Sequence, residues 1–151
     1  MAKATKTKPK PRAKKKRGPT KPVRMRRLLK KCNEAWSRAV RHRDGKCLIC
    51  GETKNLHAHH WIVSRARSRK YRFDIRNGVT LCYAHHLRGI HTEASLAFML
   101  MITKAVTFIT FEEAQAIAAD ATGDVSSPYT EEELTATLTA LEALGPPAPE
   151  Q

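Results

Sequence analysis

L-C-Y-A-H-H-L-R-G-I-H, residues 81–91, holds three of the chain's seven histidines and one of its four cysteines. It continues a short apolar run, V-T-L at 79–81, which reads as a strand. A helix is expected from about residue 83. Cys82-x-x-His85 has the spacing of a metal-binding turn, and a matching pair lies upstream in C-L-I-C at 47–50. A tight turn lets two side chains reach one tetrahedral ion, and two such turns close its shell. Cys47, Cys50, Cys82 and His85 are therefore expected to hold a structural Zn2+. His86 beside His85 is an alternative fourth ligand. A closed shell stabilises the fold and leaves no position open to substrate. A redox reading of C-x-x-C needs a βαβ context, and the surrounding pattern has none.

Between the two pairs runs H-A-H-H-W-I-V (57–63), which puts three imidazoles into four positions. A short strand is expected near 56–58, and a second near 79–81 after the Asn77-Gly78 turn. Adjacent strand residues point to opposite sides, so His59 and His60 should do different jobs. One can ligate a metal while the other stays free to take a proton. A neutral imidazole suits a base acting near neutral pH. An ion held by two or three protein groups keeps positions open for a phosphate oxygen and a leaving oxygen.

Charge is segregated along the chain. Residues 1–31 carry fifteen Lys or Arg and no acid. Residues 32–92 carry twelve basic and four acidic residues, and residues 93–151 one Lys against ten acids. Solubility alone does not require such separation, so the basic two thirds are read as facing a polyanion. Residues 1–22, rich in Lys and Pro, are expected to form a disordered basic arm that binds phosphates in a salt-sensitive way. No stretch has the apolar length of a membrane span, and the basic N-terminus lacks a secretory apolar core. An intracellular location and no membrane partner are expected.

From Val23 to about Arg43 the pattern is helical, with Leu29, Cys32, Trp36 and Val40 on one stripe. Cys32 on that stripe reads as a buried thiol. Residues 92–104 form an apolar stretch expected to pack on the core. Thr110 with Glu113, and Thr130 with Glu133, each fit a capping box. The run 134–144 ends at Gly145-Pro146-Pro147, a firm helix stop. The acidic C-terminal third shows nothing catalytic, and its default role is packing. Shielding of the basic core or binding of a protein partner are the alternatives. The chain divides into the basic arm 1–22, a core with flanking helices 23–104, and an acidic helical region 105–151, together of α+β class.

The order C-x-x-C, H-H, N, L-C-x-x-H-H over residues 47–91 resembles the HNH (ββα-metal) nuclease motif in its zinc-stabilised form. The resemblance implies a small ββα-metal core with a structural zinc knuckle, flanked by an N-terminal helix and C-terminal helices. It implies that His59 is the first ligand of a catalytic ion and His60 the general base that activates water. Asn77 matches the middle residue, whose side chain ties the loop and so orients the base. His86 matches the second ligand of the catalytic ion, and His91 resembles the last histidine of some members. The step of five from His86 to His91 departs from the three or four that a shared helix face needs. His57 is two residues from His59 and reads as a substrate contact or a surface residue.

S-R-A-R-S-R-K-Y-R-F-D (64–74) lies between the proposed base and Asn77. Arg65, Arg67, Arg69, Lys70 and Arg72 are expected to clamp phosphates beside the scissile bond. Asp74 is expected to brace this loop or pair with Arg76. W-S-R-A-V-R-H-R-D-G (36–45) and R-F-D-I-R-N (72–77), with the knuckle residues, also resemble the phage NinG/Rap recombination nucleases, which act on branched DNA. The function implied is a metal-dependent DNA endonuclease; the alternative is a zinc-stabilised DNA-binding module without catalysis. An RNA-binding reading lacks an aromatic stacking platform. Double-stranded or branched DNA is the implied partner, and a homodimer is an open alternative. The catalytic ion is a divalent metal, Mg2+, Mn2+, Ni2+ or Zn2+; two histidines suit Mg2+ less well than the others.

Overall fold

Thr20 leads into α1, Lys21–Asp44, with Pro22 in the first turn, where the missing amide hydrogen has no helical partner to lose. The helix starts two residues before the expected position and ends at Gly45, whose φ of +66° makes the left-handed C-cap that glycine adopts readily. The structure, a computed structural model, describes residues 20–90, 95–121 and 128–145. The expected basic arm therefore lies mostly outside the described residues.

After α1 come β1 (Leu56–His60), a 3₁₀ turn (Ile75–Asn77), β2 (Gly78–Cys82) and a wide, π-type helix (Ala84–Ile90). Three α-helices follow: α2 (Ser95–Ala105), α3 (Phe111–Asp120) and α4 (Glu131–Glu142). The class is mixed α and β, with a two-stranded antiparallel sheet. Both strands lie where their alternation and the Asn77-Gly78 turn put them. Leu56 pairs with Cys82, Ala58 with Thr80 and His60 with Gly78. One face of the sheet rests on α1: His60 lies on Trp36, and the Thr80 hydroxyl donates to the Val40 carbonyl.

Gly78 is needed for this close approach. A Cβ there would stand 2.5 Å from Val40 and 2.7 Å from Trp36. Asp44 and Arg43 fasten the same junction. The Asp44 carboxylate accepts from the Thr80 amide, and Arg43 donates to the carbonyls of Ile75 and Gly78 while lying 3.5 Å over the Phe108 ring.

Two apolar clusters flank the sheet. One joins Trp61, Val63, Tyr71, Val79, Leu81, Ile102 and Ile117. The other packs Cys32, Trp36, Val40 and Phe73 of the N-terminal part against Leu134 and Leu141 of α4. Each leucine buried there contributes about 1.5–3 kcal/mol. Cys32 is fully buried, its thiol donating to the Leu134 carbonyl, and burial raises its pKa. α4 thus packs on α1, and its acidic composition does not keep it off the body of the protein.

Both capping boxes form. Thr110 and Glu113 exchange hydrogen bonds at the start of α3, and Thr130 and Glu133 do so at the start of α4. The apolar stretch expected at 92–104 packs on the core along one stripe of α2. Ile102 is buried, but Leu96, Leu100 and Met101 of α2 face outward. An 11-residue helix lying on a small core can bury only one stripe.

Candidate metal centre and histidine cleft

The C-L-I-C turn is folded by its own backbone. The Gly51 amide donates to the Cys47 carbonyl, Gly51 has a φ of +76°, and the Leu48 amide docks the turn on the Thr80 carbonyl of β2. Cys82 closes β2, and His85 stands in the first turn of the wide helix. The ligand atoms of Cys47, Cys50, Cys82 and His85 all lie within 4.8 Å of one another. Cys82 Sγ is 3.2 Å from His85 Nδ1, Cys47 Sγ is 3.5 Å from it, and the Cys50 and Cys82 sulfurs are 3.9 Å apart. A tetrahedron with metal–sulfur bonds of about 2.3 Å has sulfur–sulfur edges of roughly 3.8 Å. These four residues can hold a structural metal such as zinc. Burial raises the Cys47 thiol, but the backbone amides of Cys82, Cys50 and Ile49 and the His85 ring outweigh it and bring the pKa down to about 7. A thiol that ionises readily is suited to metal ligation.

His85, rather than His86, completes the cluster. The wide helix turns His86 the other way, toward the strand. Its ring stacks on His57 at 5.1 Å and meets the His59 ring edge-on at 5.3 Å. Wide helical turns of this type are rare and recur at functional sites. Gly89 lets this helix approach α2, because a Cβ would sit 2.8 Å from the Phe98 ring.

His59 and His60 separate as strand alternation predicts. His59 faces His86, whereas His60 faces α1 and lies flat on Trp36, ring centroids 3.9 Å apart. The strand end still brings both to one cavity of about 380 Å3, lined by Ala58, His59, His60, Ser64, Arg65 and His86. His60 Nε2 lies 2.8 Å from the Arg72 carbonyl. A carbonyl only accepts, so Nε2 carries the hydrogen and Nδ1 of the neutral ring holds the lone pair. Burial lowers the His60 pKa, and the nearby charges of Arg72 and Arg65 lower it further, against the raising effect of the carbonyl.

Asn77 ties the loop. It is fully buried, and its Oδ1 accepts from the Ile62 and Val63 amides. Its Nδ2 donates to the Val63 and Tyr71 carbonyls. One amide side chain thus joins the segment after His60 to the segment just before Arg72. Asp74 braces the 3₁₀ turn, accepting from the Arg76 amide and pairing with the Arg76 guanidinium.

The basic loop is divided. Arg65 is exposed and borders the histidine cavity, while Arg67 lines a separate hollow with Ala118 and Ala121. Arg69 pairs with Glu133 and lies over the Tyr129 ring. Lys70 and the Tyr71 hydroxyl both donate to Asp120. Arg72 reaches the Asn33 side chain. Three of the five expected clamp residues are therefore held by partners within the protein. His91, the remaining expected ligand, lies outside the described residues.

Sequence reasoning assigned Trp36 to the core and did not foresee its stack on His60. The stacking of His57 on His86 was likewise missed, although the shared face of residues 57 and 59 was a usable signal. The Arg43–Asp44 fastening carries no sequence signal. No described helix is long and apolar enough to cross a membrane. No protein-family model, curated protein or solved structure matches the chain.

Proposed function

We propose that this protein is a metal-dependent endonuclease that hydrolyses DNA phosphodiester bonds on an HNH, or ββα-metal, core. In this reading β1, β2 and the wide helix form the ββα unit, and the three cysteines with His85 hold the structural Zn2+. The observation that carries the reading is the state of His60. Its Nε2–H is committed to the Arg72 carbonyl, which leaves Nδ1 as the basic atom of a ring lining a cavity shared with His59, His86 and Arg65.

His60 Nδ1 takes the proton from a water that attacks phosphorus in line with the departing 3′ oxygen. The Trp36 stack and the Arg72 carbonyl fix the ring, so little orientation has to be found during the reaction. Asn77 supports the base at one remove by holding the loop whose carbonyl orients it. Arg65 offers its guanidinium to a non-bridging phosphate oxygen. His59 and His86 are a fitting pair of ligands for a divalent ion, with imidazole favouring Mn2+, Ni2+ or Zn2+ over Mg2+. Such an ion, when bound, supplies charge stabilisation at the phosphate and the leaving oxygen. The family resemblance implies products with 5′-phosphate and 3′-hydroxyl ends. It also makes branched DNA of the kind handled in phage recombination a substrate to include.

One observation favours the second reading, a zinc-stabilised DNA-binding module without catalysis. Among the described residues, only Cys47, Cys50, Cys82 and His85 bring three or more ligand atoms within 4.8 Å of one another. A nicking assay on supercoiled plasmid and on linear, nicked and four-way DNA, with a panel of divalent ions, separates the two. Wild-type protein is expected to cut, and His60→Ala to lose cutting while keeping its zinc and its affinity for DNA. Equal cutting by both removes His60 from the mechanism. Binding without cutting by wild-type protein under every ion leaves the binding module.

A further inference from the structure

The cations of α1 fall into rows of different fates. Residues 26, 30, 33, 37 and 41 follow one another at steps of four and three, so they form a single ridge of the helix. The ridge reads Arg26, Lys30, Asn33, Ser37, Arg41 and contains no carboxylate. Arg26 and Lys30 are exposed and Arg41 partly so. Among the described residues, Arg26 and Arg41 pair with no acid. Lys30 meets only Glu34, one turn along the same helix, in an exposed contact at 3.6 Å of the kind that contributes little.

Asn33 connects this ridge to the cleft. Its side chain accepts from Arg72 at 3.3 Å, and the Arg72 carbonyl is the group that holds His60. The ridge spans about 22 Å, on the order of six base-pair steps of a duplex. The loop cations are placed differently. Arg69 and Lys70 already face Glu133 and Asp120, so a phosphate would have to displace a carboxylate at each.

We infer that the Arg26–Lys30–Arg41 ridge of α1 grips the phosphate backbone of duplex DNA beside the cleft, in place of the loop cations Arg69 and Lys70. The inference rests on the nucleic-acid reading above and says which surface serves it. Each of the three side chains contacts one phosphate and displaces condensed counterions, so binding through them is strongly salt-dependent. Asn33 and Ser37 between them are short enough to let the backbone close on the helix.

The test measures binding of a short fluorescein-labelled duplex by anisotropy between about 50 and 200 mM salt. The full chain carries His60→Ala, so that binding is read without cutting. Arg26→Gln/Lys30→Gln/Arg41→Gln is compared with Arg69→Gln/Lys70→Gln. Glutamine is a good helix former, and circular dichroism and zinc stoichiometry check that the fold persists. The triple variant is expected to weaken binding about ten-fold or more and to lower the salt slope by roughly two to three. The double variant is expected to stay within about two-fold of its parent. Unchanged affinity and slope in the triple variant overturn the α1 surface. A loss in the double variant as large as that in the triple overturns the division between ridge and loop. Failure of the parent itself to bind duplex overturns the underlying nucleic-acid reading.

Discussion

The His60 imidazole lies on the Trp36 indole with centroids 3.9 Å apart and planes 11° from parallel. The contact couples a group of proposed catalytic use to the centre of the α1 core. Trp36 is 4% exposed, and its indole N–H donates to the Asp74 carbonyl, so it also fastens the loop before the 3₁₀ turn.

Trp36→Ala is expected to lower stability by about 3–5 kcal/mol, the usual range for deleting a buried large aromatic. Trp36→Phe keeps a stacking surface and loses the hydrogen bond, so its loss should be clearly smaller. Urea titrations followed by far-UV circular dichroism give both values. A Trp36→Ala protein as stable as wild type would mean that the stack bears no weight.

Gly78→Ala probes the same junction from the sheet side. Its methyl group would meet Val40 and Trp36 inside contact distance, and both are buried. Overpacking of this kind lowers stability by about 1–3 kcal/mol. The midpoint of urea denaturation should fall accordingly.

Asn77→Asp replaces two donors by acceptors that face the Val63 and Tyr71 carbonyls. Leaving buried carbonyls without donors costs about 1–3 kcal/mol each, and a buried charge adds to that. Asn77→Asp should therefore destabilise the protein at neutral pH, and more so than Asn77→Ala, which adds no charge. Thermal melts of the two variants at neutral pH rank them.

Zinc is expected at one ion per chain in metal analysis of protein purified without chelator. Cys47→Ala deletes a ligand from a four-residue cluster that ties the C-L-I-C turn, β2 and the wide helix together. The variant should lose the ion and its cooperative melt, and a strong chelator should do the same to wild type. Retention of a wild-type melt in the absence of metal would remove the structural role of the cluster.

Acid is expected to loosen the C-terminal helices. Hydrogen bonds from Lys70 and Tyr71 hold the Asp120 carboxyl below its ordinary value. The Thr130 amide and Arg69 do the same for Glu133. Both groups bind a proton less readily in the fold than in the unfolded chain. Their stabilisation is therefore whole above about pH 4.5 and is lost as pH falls through their folded values. Asp120→Asn/Glu133→Gln should melt below wild type at pH 6, and the difference should shrink as pH falls below the ordinary carboxylate range. A difference that stays constant across this range would exclude both carboxyls as the source.

Local spacing determined much of this protein in the sequence alone. C-x-x-C and C-x-x-H pointed to a cluster able to hold a metal, because neighbouring residues in a tight turn can reach one ion, and the four side chains do come together. Strand alternation separated His59 from His60, and both capping boxes formed because each needs only four consecutive residues. For Asn77 a loop tie was expected only from the family resemblance, and its side chain does bond to residues 62, 63 and 71. Tertiary structure decided what depends on distant partners. It selected His85 over His86 for the cysteine cluster, because the wide helix aims them differently. It set Trp36 under His60, and it assigned Arg69 and Lys70 to carboxylates far along the chain. Side-chain contacts between residues dozens of positions apart follow from how helices and strands pack, and no local pattern of residue types encodes that packing.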